Sequence, residues 1–287
     1  MLTLMIVHAH PDDEAIPTGG TLPRYAADGV RTVLVTATRG EEGEIVLPEL
    51  DRPEVRARFG EFRTAELQQA AIILGVSDLE ILGYRDSGMV DTPSNSHPAC
   101  FHMASPEEAA WRLTRLVRRY RPQVLVTYNE FGGYGHPDHI ACHRATVAAF
   151  QAAGDPERFP DAGPAWAPSK LYYANSPRRT LLRAWEHMRD QGMPTPLDNP
   201  EFDITRFTVP EDQVTTRIDV AAFLPQKIAA LGCHRSQIRN GGWLLSVPEE
   251  LRAEFFGHEH FTLAASRLPE PTFEPGSQED DLFAGLR

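Results

Sequence analysis

The sequence predicts an α/β protein: a Rossmann-like, mostly parallel sheet flanked by helices, with a smaller C-terminal α/β portion. Short apolar runs alternate with helix-length periodic segments through the first half of the chain, the pattern of βαβ units. Two of those runs end in loops rich in histidine and aspartate. After a Pro- and Gly-rich stretch the second half loses the clean alternation. Open parallel sheets bind ligands beyond the carboxyl ends of their strands, so matched polar loops after two strands point to one cleft.

The elements follow in order. Residues 3–8, apolar up to His8, read as a buried strand that runs into His8-Ala9-His10-Pro11-Asp12-Asp13-Glu14. A helix is expected over about 14–28, stopped by Gly29, and residues 31–37 form the second strand. Residues 38–60 make a long loop carrying Glu41-Glu42-Gly43-Glu44; a loop of that length in a compact domain is usually functional, and it is expected to wall the cleft. Helical spacing over 61–74 ends at Gly75, a third strand spans 79–82, and Tyr84-Arg85-Asp86-Ser87-Gly88-Met89 forms a loop at the same edge. Pro106 opens a helix to Tyr120, a strand follows over 123–127, and Gly132-Gly133-Tyr134-Gly135-His136-Pro137-Asp138-His139 leads into a helix through Phe150. Residues 154–168 read as a connector, 170–174 as a strand with Tyr172 and Tyr173 packing in the core, 214–220 as strand-like and 223–238 as helix-like. The expected division is a catalytic core over 1–165, a portion over 166–266 that completes the cleft, and a Pro- and acid-rich surface tail over 267–287.

Composition narrows the partners. The chain has 287 residues, 41% of them hydrophobic, and a formal charge of −12, which argues against a broad nucleic-acid or anionic membrane surface. No segment reaches the roughly 20 apolar residues of a membrane helix. Three cysteines without CxxC spacing argue against a disulfide framework and suit a reducing compartment, so the expectation is a cytoplasmic enzyme acting on a small molecule, as a monomer or a homo-oligomer. Cys142 and Cys233 read as buried small hydrophobes.

Two histidines and a carboxylate suit a catalytic zinc, because they make three fixed bonds and leave room for water and substrate. His10, Asp13 and His139 are that set; Fe2+, Mn2+ or Co2+ accept the same donors. Asp12, projecting from the same turn, is the candidate base for a water whose pKa the metal lowers from near 16 to roughly 7. His136 and Tyr134 stand ready to stabilise an oxyanion or protonate a leaving amine, with Asp138 as the partner of His136; the acid is either His136 or protonated Asp12. A lone histidine at a strand end is more often structural, but two matched clusters are a different case, since a buried carboxylate pair without a cation is costly. His8 reads as a strand residue or a neighbour of the ligands, and His234 as lining the cleft or satisfying a core hydrogen bond.

These motifs, with Thr38-Arg39-Gly40-Glu41 and His234-Arg235-Ser236-Gln237, resemble the LmbE/PIG-L family of metal-dependent de-N-acetylases over nearly the whole chain. The likeness is greatest to the branch that deacetylates N-acetylglucosaminyl-inositol in mycothiol biosynthesis. It implies a Rossmann-like fold, zinc on His10, Asp13 and His139, Asp12 as base, His136 as acid or electrostatic partner oriented by Asp138, and Tyr134 near the oxyanion. It further implies substrate contacts from Arg63 and Asp86 at the rim; Glu44, on its acidic loop, is a third candidate contact. The substrate is then an N-acetylglucosamine conjugate of inositol or malate type. Rival readings are an amidase of thiol S-conjugates and a metal-dependent sugar binder without catalysis. Two stretches depart from the pattern: only Gly83 and Tyr84 stand between Leu82 and Arg85, and Gly241-Gly242-Trp243 lacks a clear counterpart.

Overall fold

A strand that is apolar at consecutive positions can be buried only if both faces are covered. In the computed structural model, which describes residues 1–239, 243–269 and 277–287, β1 (Thr3–His8) is buried at every position. Leu4 and Ile6 pack into one core, with Leu34, Leu67 and Val126, while Met5 and Val7 pack into another, with Val35, Leu113 and Leu125. The Gly241-Gly242 pair lies outside the described residues, as do residues 270–276 of the expected tail.

After β1 come α1 (Thr21–Ala27), β2 (Arg31–Thr38), α2 (Pro53–Arg56), α3 (Phe59–Ile73), β3 (Asp78–Tyr84), α4 (Pro106–Tyr120) and β4 (Val124–Tyr128). The chain continues through α5 (Gly132–Gly135), α6 (Pro137–Ala152), β5 (Lys170–Asn175), α7 (Arg178–Asp190), β6 (Thr216–Asp219), α8 (Leu224–Leu231), α9 (Trp243–Ser246), α10 (Glu249–Phe256) and β7 (His258–Ser266). The sheet order is β3-β2-β1-β4-β5-β7-β6. The first five strands are parallel, and β7 runs antiparallel to both β5 and β6. The sheet is thus mixed and mostly parallel, and it runs unbroken across the boundary expected at residue 165. Strand order reverses between β1 and β4, so the loops after these two strands sit side by side at the carboxyl edge.

Four expectations are corrected. The helix expected from residue 14 begins only at Thr21; Asp13–Ala15 make a single 3-10 turn. The reason is long-range: the N–H groups of Gly20 and Thr21 donate to Glu259 Oε1 and Oε2, each at 2.8 Å, and a Cβ on Gly20 would lie 2.5 Å from Val220 Cβ. The helix expected over 223–238 ends at Leu231, where the chain turns to bury His234. The tail is no surface strap where it is described, because Leu282 and Phe283 are fully buried in the core. Cys142 is buried as expected, whereas Cys233 is only half-buried.

The tail is also held by charge. Lys170 Nζ donates to Glu279 Oε1 at 2.6 Å and to the Tyr172 hydroxyl at 2.9 Å, and the lysine and glutamate side chains are wholly excluded from solvent. Lys170→Met leaves the Glu279 carboxylate buried without its cation, and such a break costs about 3–5 kcal/mol. A lower urea midpoint at unchanged slope is the expected result; an unchanged midpoint would show that the pair contributes nothing.

Candidate metal centre and active site

The β1 and β4 loops bring their histidines together. His10 Nδ1 lies 3.2 Å from His139 Nε2, and each lies 3.4 Å from Asp13 Oδ2. Donors held about 2.0–2.1 Å from one tetrahedral ion are separated by about 3.3 Å, so the spacing of the trio fits a metal such as zinc. Among the described residues, buried His10, His136 and His139, and likewise His10, Asp86 and Asp138, also place ligand atoms within 4.8 Å of one another.

Neighbouring groups fix each of the three donors. His139 Nδ1 donates to the Gly132 carbonyl at 2.9 Å, which leaves Nε2 as the lone-pair nitrogen facing His10 and Asp13. That contact needs glycine at 132: its φ is +63°, and a Cβ there would lie 2.6 Å from His139 Cβ. Tyr128, the last residue of β4, donates its hydroxyl to Asp13 Oδ2 at 2.6 Å and stacks on the His139 ring at a centroid distance of 4.2 Å. On the far side of His10, Nε2 lies 3.2 Å from Asp138 Oδ2 and 3.6 Å from Asp86 Oδ1. Burial opposes charge on the His10 ring, but Asp13, Asp138 and Asp86 outweigh it and hold its pKa well above the usual value. Three buried carboxylates around one imidazole make a site for positive charge.

Asp12 occupies the left-handed region with φ 112°, a conformation that costs a non-glycine residue of order 1–3 kcal/mol and clusters at functional sites. Its carboxylate accepts from Arg63 Nη2 at 3.0 Å and its N–H donates to Glu14 Oε2 at 3.0 Å. Burial raises the Asp12 carboxyl to about 6, against the pull of the Arg63 guanidinium. His136 caps α6: its Nδ1 accepts from the Asp138 N–H at 3.1 Å, so the ring proton sits on Nε2. Burial, with the His10 ring beside it, lowers the His136 pKa to about 4.

Several sequence expectations differ in place. Asp138 meets His136 through its backbone; its carboxylate accepts instead from His10, from the Ser87 hydroxyl, and from the Ser87 N–H at 2.9 Å. Arg63 and Asp86 are each 3% exposed, so neither is an open rim residue. Arg63 donates to the carbonyls of Gly40 and Pro11 as well as to Asp12, yet its Nε is buried without a partner. Asp86 accepts from the N–H of Gly88 at 2.8 Å and of Glu42 at 3.2 Å. Glu44 is exposed, and its carbonyl accepts from Gln237. Tyr134 is 41% exposed, its ring set edge-on to that of His139 with the ring centroids 5.0 Å apart. His234 takes the core role, bonded to Glu14, and His8 Nε2 meets Thr18 Oγ1 at 3.0 Å.

Sequence reasoning gave no role to Tyr128, Ser87 or Glu14. Tyr128 has a signal in hindsight, as a polar residue closing an apolar strand next to a histidine loop. A cavity of about 460 Å³ opens beside Asp13, Tyr134 and His139 and runs between Ile16, Trp185, Phe207, Val209 and Phe255. No helix among the described residues is long and apolar enough to cross a membrane.

Known proteins resemble this chain in sequence and in fold. A family model described as "PIG-L: GlcNAc-PI de-N-acetylase" matches residues 5–150. A protein of Thermomonospora curvata named 1D-myo-inositol 2-acetamido-2-deoxy-alpha-D-glucopyranoside deacetylase is 44% identical, over 99% of this chain and 96% of its own. A protein of the same name from Thermobifida fusca is 44% identical over 98% of each chain. Among solved structures, the conserved protein TT1542 from Thermus thermophilus aligns with TM-score 0.57 and 26% identity over 97% of this chain and all 100% of its own. N,N'-diacetylchitobiose deacetylase from Pyrococcus horikoshii aligns with TM-score 0.63 over 91% of this chain and 83% of its own; at 18% identity that likeness shows the fold alone. From the match over residues 5–150 and the full-length relatives at 44% identity, the chain belongs to the PIG-L family of de-N-acetylases.

Proposed function

We propose that this protein hydrolyses the acetamide of N-acetylglucosaminyl-inositol, releasing acetate and the free amino sugar. The observation that carries the reading is the convergence of His10, Asp13 and His139 next to Asp12; the names of the full-length relatives supply the substrate. His10 Nδ1, His139 Nε2 and Asp13 Oδ2 would hold a divalent ion, zinc by the tetrahedral fit. When bound, the ion supplies a Lewis acid for the amide carbonyl and an acidified water.

The chain's own groups do the rest. Asp12, held by Arg63, takes the water's proton. A carboxyl raised to about 6 can both accept that proton and return it to the departing amine near neutral pH. His136, neutral at that pH with its proton on Nε2, donates to the developing oxyanion, and the Tyr134 hydroxyl approaches the same oxygen from the exposed side. Exposed Glu44 and the buried pair Arg63 and Asp86 are the proposed contacts to the sugar hydroxyls. Asp138 serves chiefly as the carboxylate behind His10. Asp138→Asn is expected to weaken metal binding about 10–100-fold, measured by competition with a chromophoric chelator; unchanged affinity would return Asp138 to His136.

The deciding experiment is acetate release from N-acetylglucosaminyl-inositol and N-acetylglucosaminyl-malate by zinc-loaded protein, with a chelator-treated control. Selective, chelator-sensitive turnover of the inositol conjugate is expected; turnover of neither overturns the assignment. The apolar walls at Ile16, Trp185 and Phe255 favour one second reading, an amidase acting on thiol S-conjugates. Faster cleavage of a bulky conjugate than of the acetylated sugar would select it.

A further inference from the structure

The motif His234-Arg235-Ser236-Gln237 lies far beyond the metal ligands in the sequence, and the mechanism above gives it no task. Its placement is nevertheless specific. His234 Nε2 meets Glu14 Oε1 at 2.6 Å, with both side chains fully excluded from solvent. The other oxygen of that carboxylate, Glu14 Oε2, accepts the N–H of Asp12 at 3.0 Å. Asp12 is the residue with φ 112°, so the carboxylate that His234 grips also holds the strained peptide that aims the base. The segment is itself anchored: Ser236 donates its N–H and its hydroxyl to Glu66 at 2.9 and 2.6 Å, and Val46 N–H donates to the Ser236 carbonyl at 2.9 Å. Glu66 stands one helical turn from Arg63 on α3, and Arg63 holds the Asp12 carboxylate. The base is thus gripped twice, at its side chain by Arg63 and at its backbone through Glu14.

We propose that His234 is a positioning residue for Asp12, acting through Glu14. The proposal rests on the reading of Asp12 as general base. A backbone strained at one residue holds its angle only where neighbours over-determine it. Without the His234 contact, Glu14 is free to turn toward another donor, and the Asp12 peptide loses its acceptor and relaxes. Displacing a catalytic group by about 1 Å costs on the order of 10²-fold in rate.

The test uses zinc-loaded full-length protein, with steady-state and single-turnover acetate release for wild type, His234→Leu, His234→Gln, Asp12→Asn and the double variant Asp12→Asn/His234→Leu. His234→Leu is expected to lower kcat about 10²-fold with KM and bound zinc within about twofold of wild type. His234→Gln, whose amide N–H reaches the position of Nε2, should recover at least about tenfold of that loss by restoring the donor to Glu14. In the double variant the loss should not add to that of Asp12→Asn, because two changes acting through one group are non-additive. A purely structural ion pair predicts the opposite: additive losses, a falling melting temperature, and no recovery with glutamine. Either additivity or failure of the glutamine rescue overturns the proposal. If His234→Leu is recovered unfolded, His234→Asn, too short to reach Glu14, takes its place with the same expectation. Full turnover by Asp12→Asn sinks the base reading itself, a result distinct from failure of the positioning role.

Discussion

Asp12→Asn is expected to lower kcat by about 10²–10⁴-fold while zinc stays bound, the range that loss of a positioned general base produces. The substitution keeps size and shape, and it leaves the three proposed metal donors untouched. Arg63 loses its carboxylate partner but keeps the carbonyls of Gly40 and Pro11, so the loop has no reason to collapse. What disappears is a group that burial has brought to about 6, near the pH at which the proposed role has it take up and release a proton. The measurement is kcat beside zinc content by metal analysis. Near-normal turnover with zinc retained would remove Asp12 from the base role. Loss of zinc together with activity would place it among the ligands.

The second large effect is expected from the proposed metal donors. His139→Ala, or dialysis of the native protein against a chelator, should abolish turnover, since Lewis-acid stabilisation is worth several kcal/mol and each 1.36 kcal/mol is tenfold in rate, together about 10³-fold or more. The two treatments should differ in one respect. Returning zinc to the dialysed protein restores activity and raises the melting temperature, because an ion at 100 times its Kd stabilises the folded state by about 2.7 kcal/mol. In His139→Ala the Gly132 carbonyl has lost its imidazole donor and the third ligand is gone, so zinc should restore neither. Full activity of the dialysed protein would refute a metal-dependent reaction.

Much of this site was legible in the sequence because the chemistry sits at strand ends. Once β1 and β4 are recognised as parallel neighbours, His10, Asp13 and His139 are bound to meet, and local pattern suffices for that step. What sequence could not supply were contacts between distant segments. The start of α1 is set by Glu259, more than 230 residues away, and the end of α8 by a histidine turning toward Glu14. Arg63 and Asp86 look like rim residues on a helix and a loop, and only packing shows that the Gly40 turn and the residues around Glu42 cover them. Asp138 sits two residues from His136, which suggests a pair; the helix that begins between them turns its carboxylate to His10 instead. The tail misled for a similar reason: its composition is polar, but two adjacent apolar residues, Leu282 and Phe283, enter the core, and its Glu279 pairs with buried Lys170.

The cavity draws its reacting end and its walls from different stretches of chain. The proposed metal donors and base all precede residue 140, whereas Trp185, Phe207, Val209 and Phe255 come from segments after β5. Most of the walls can therefore change while the donor-bearing loops do not, Ile16 and the His234 turn being where the two are joined. A lineage that remodels the later walls but keeps the turn carrying His234 meets new acylated amines with the same reacting end, and a designer who grafts a foreign wall onto this sheet must carry that turn along with it.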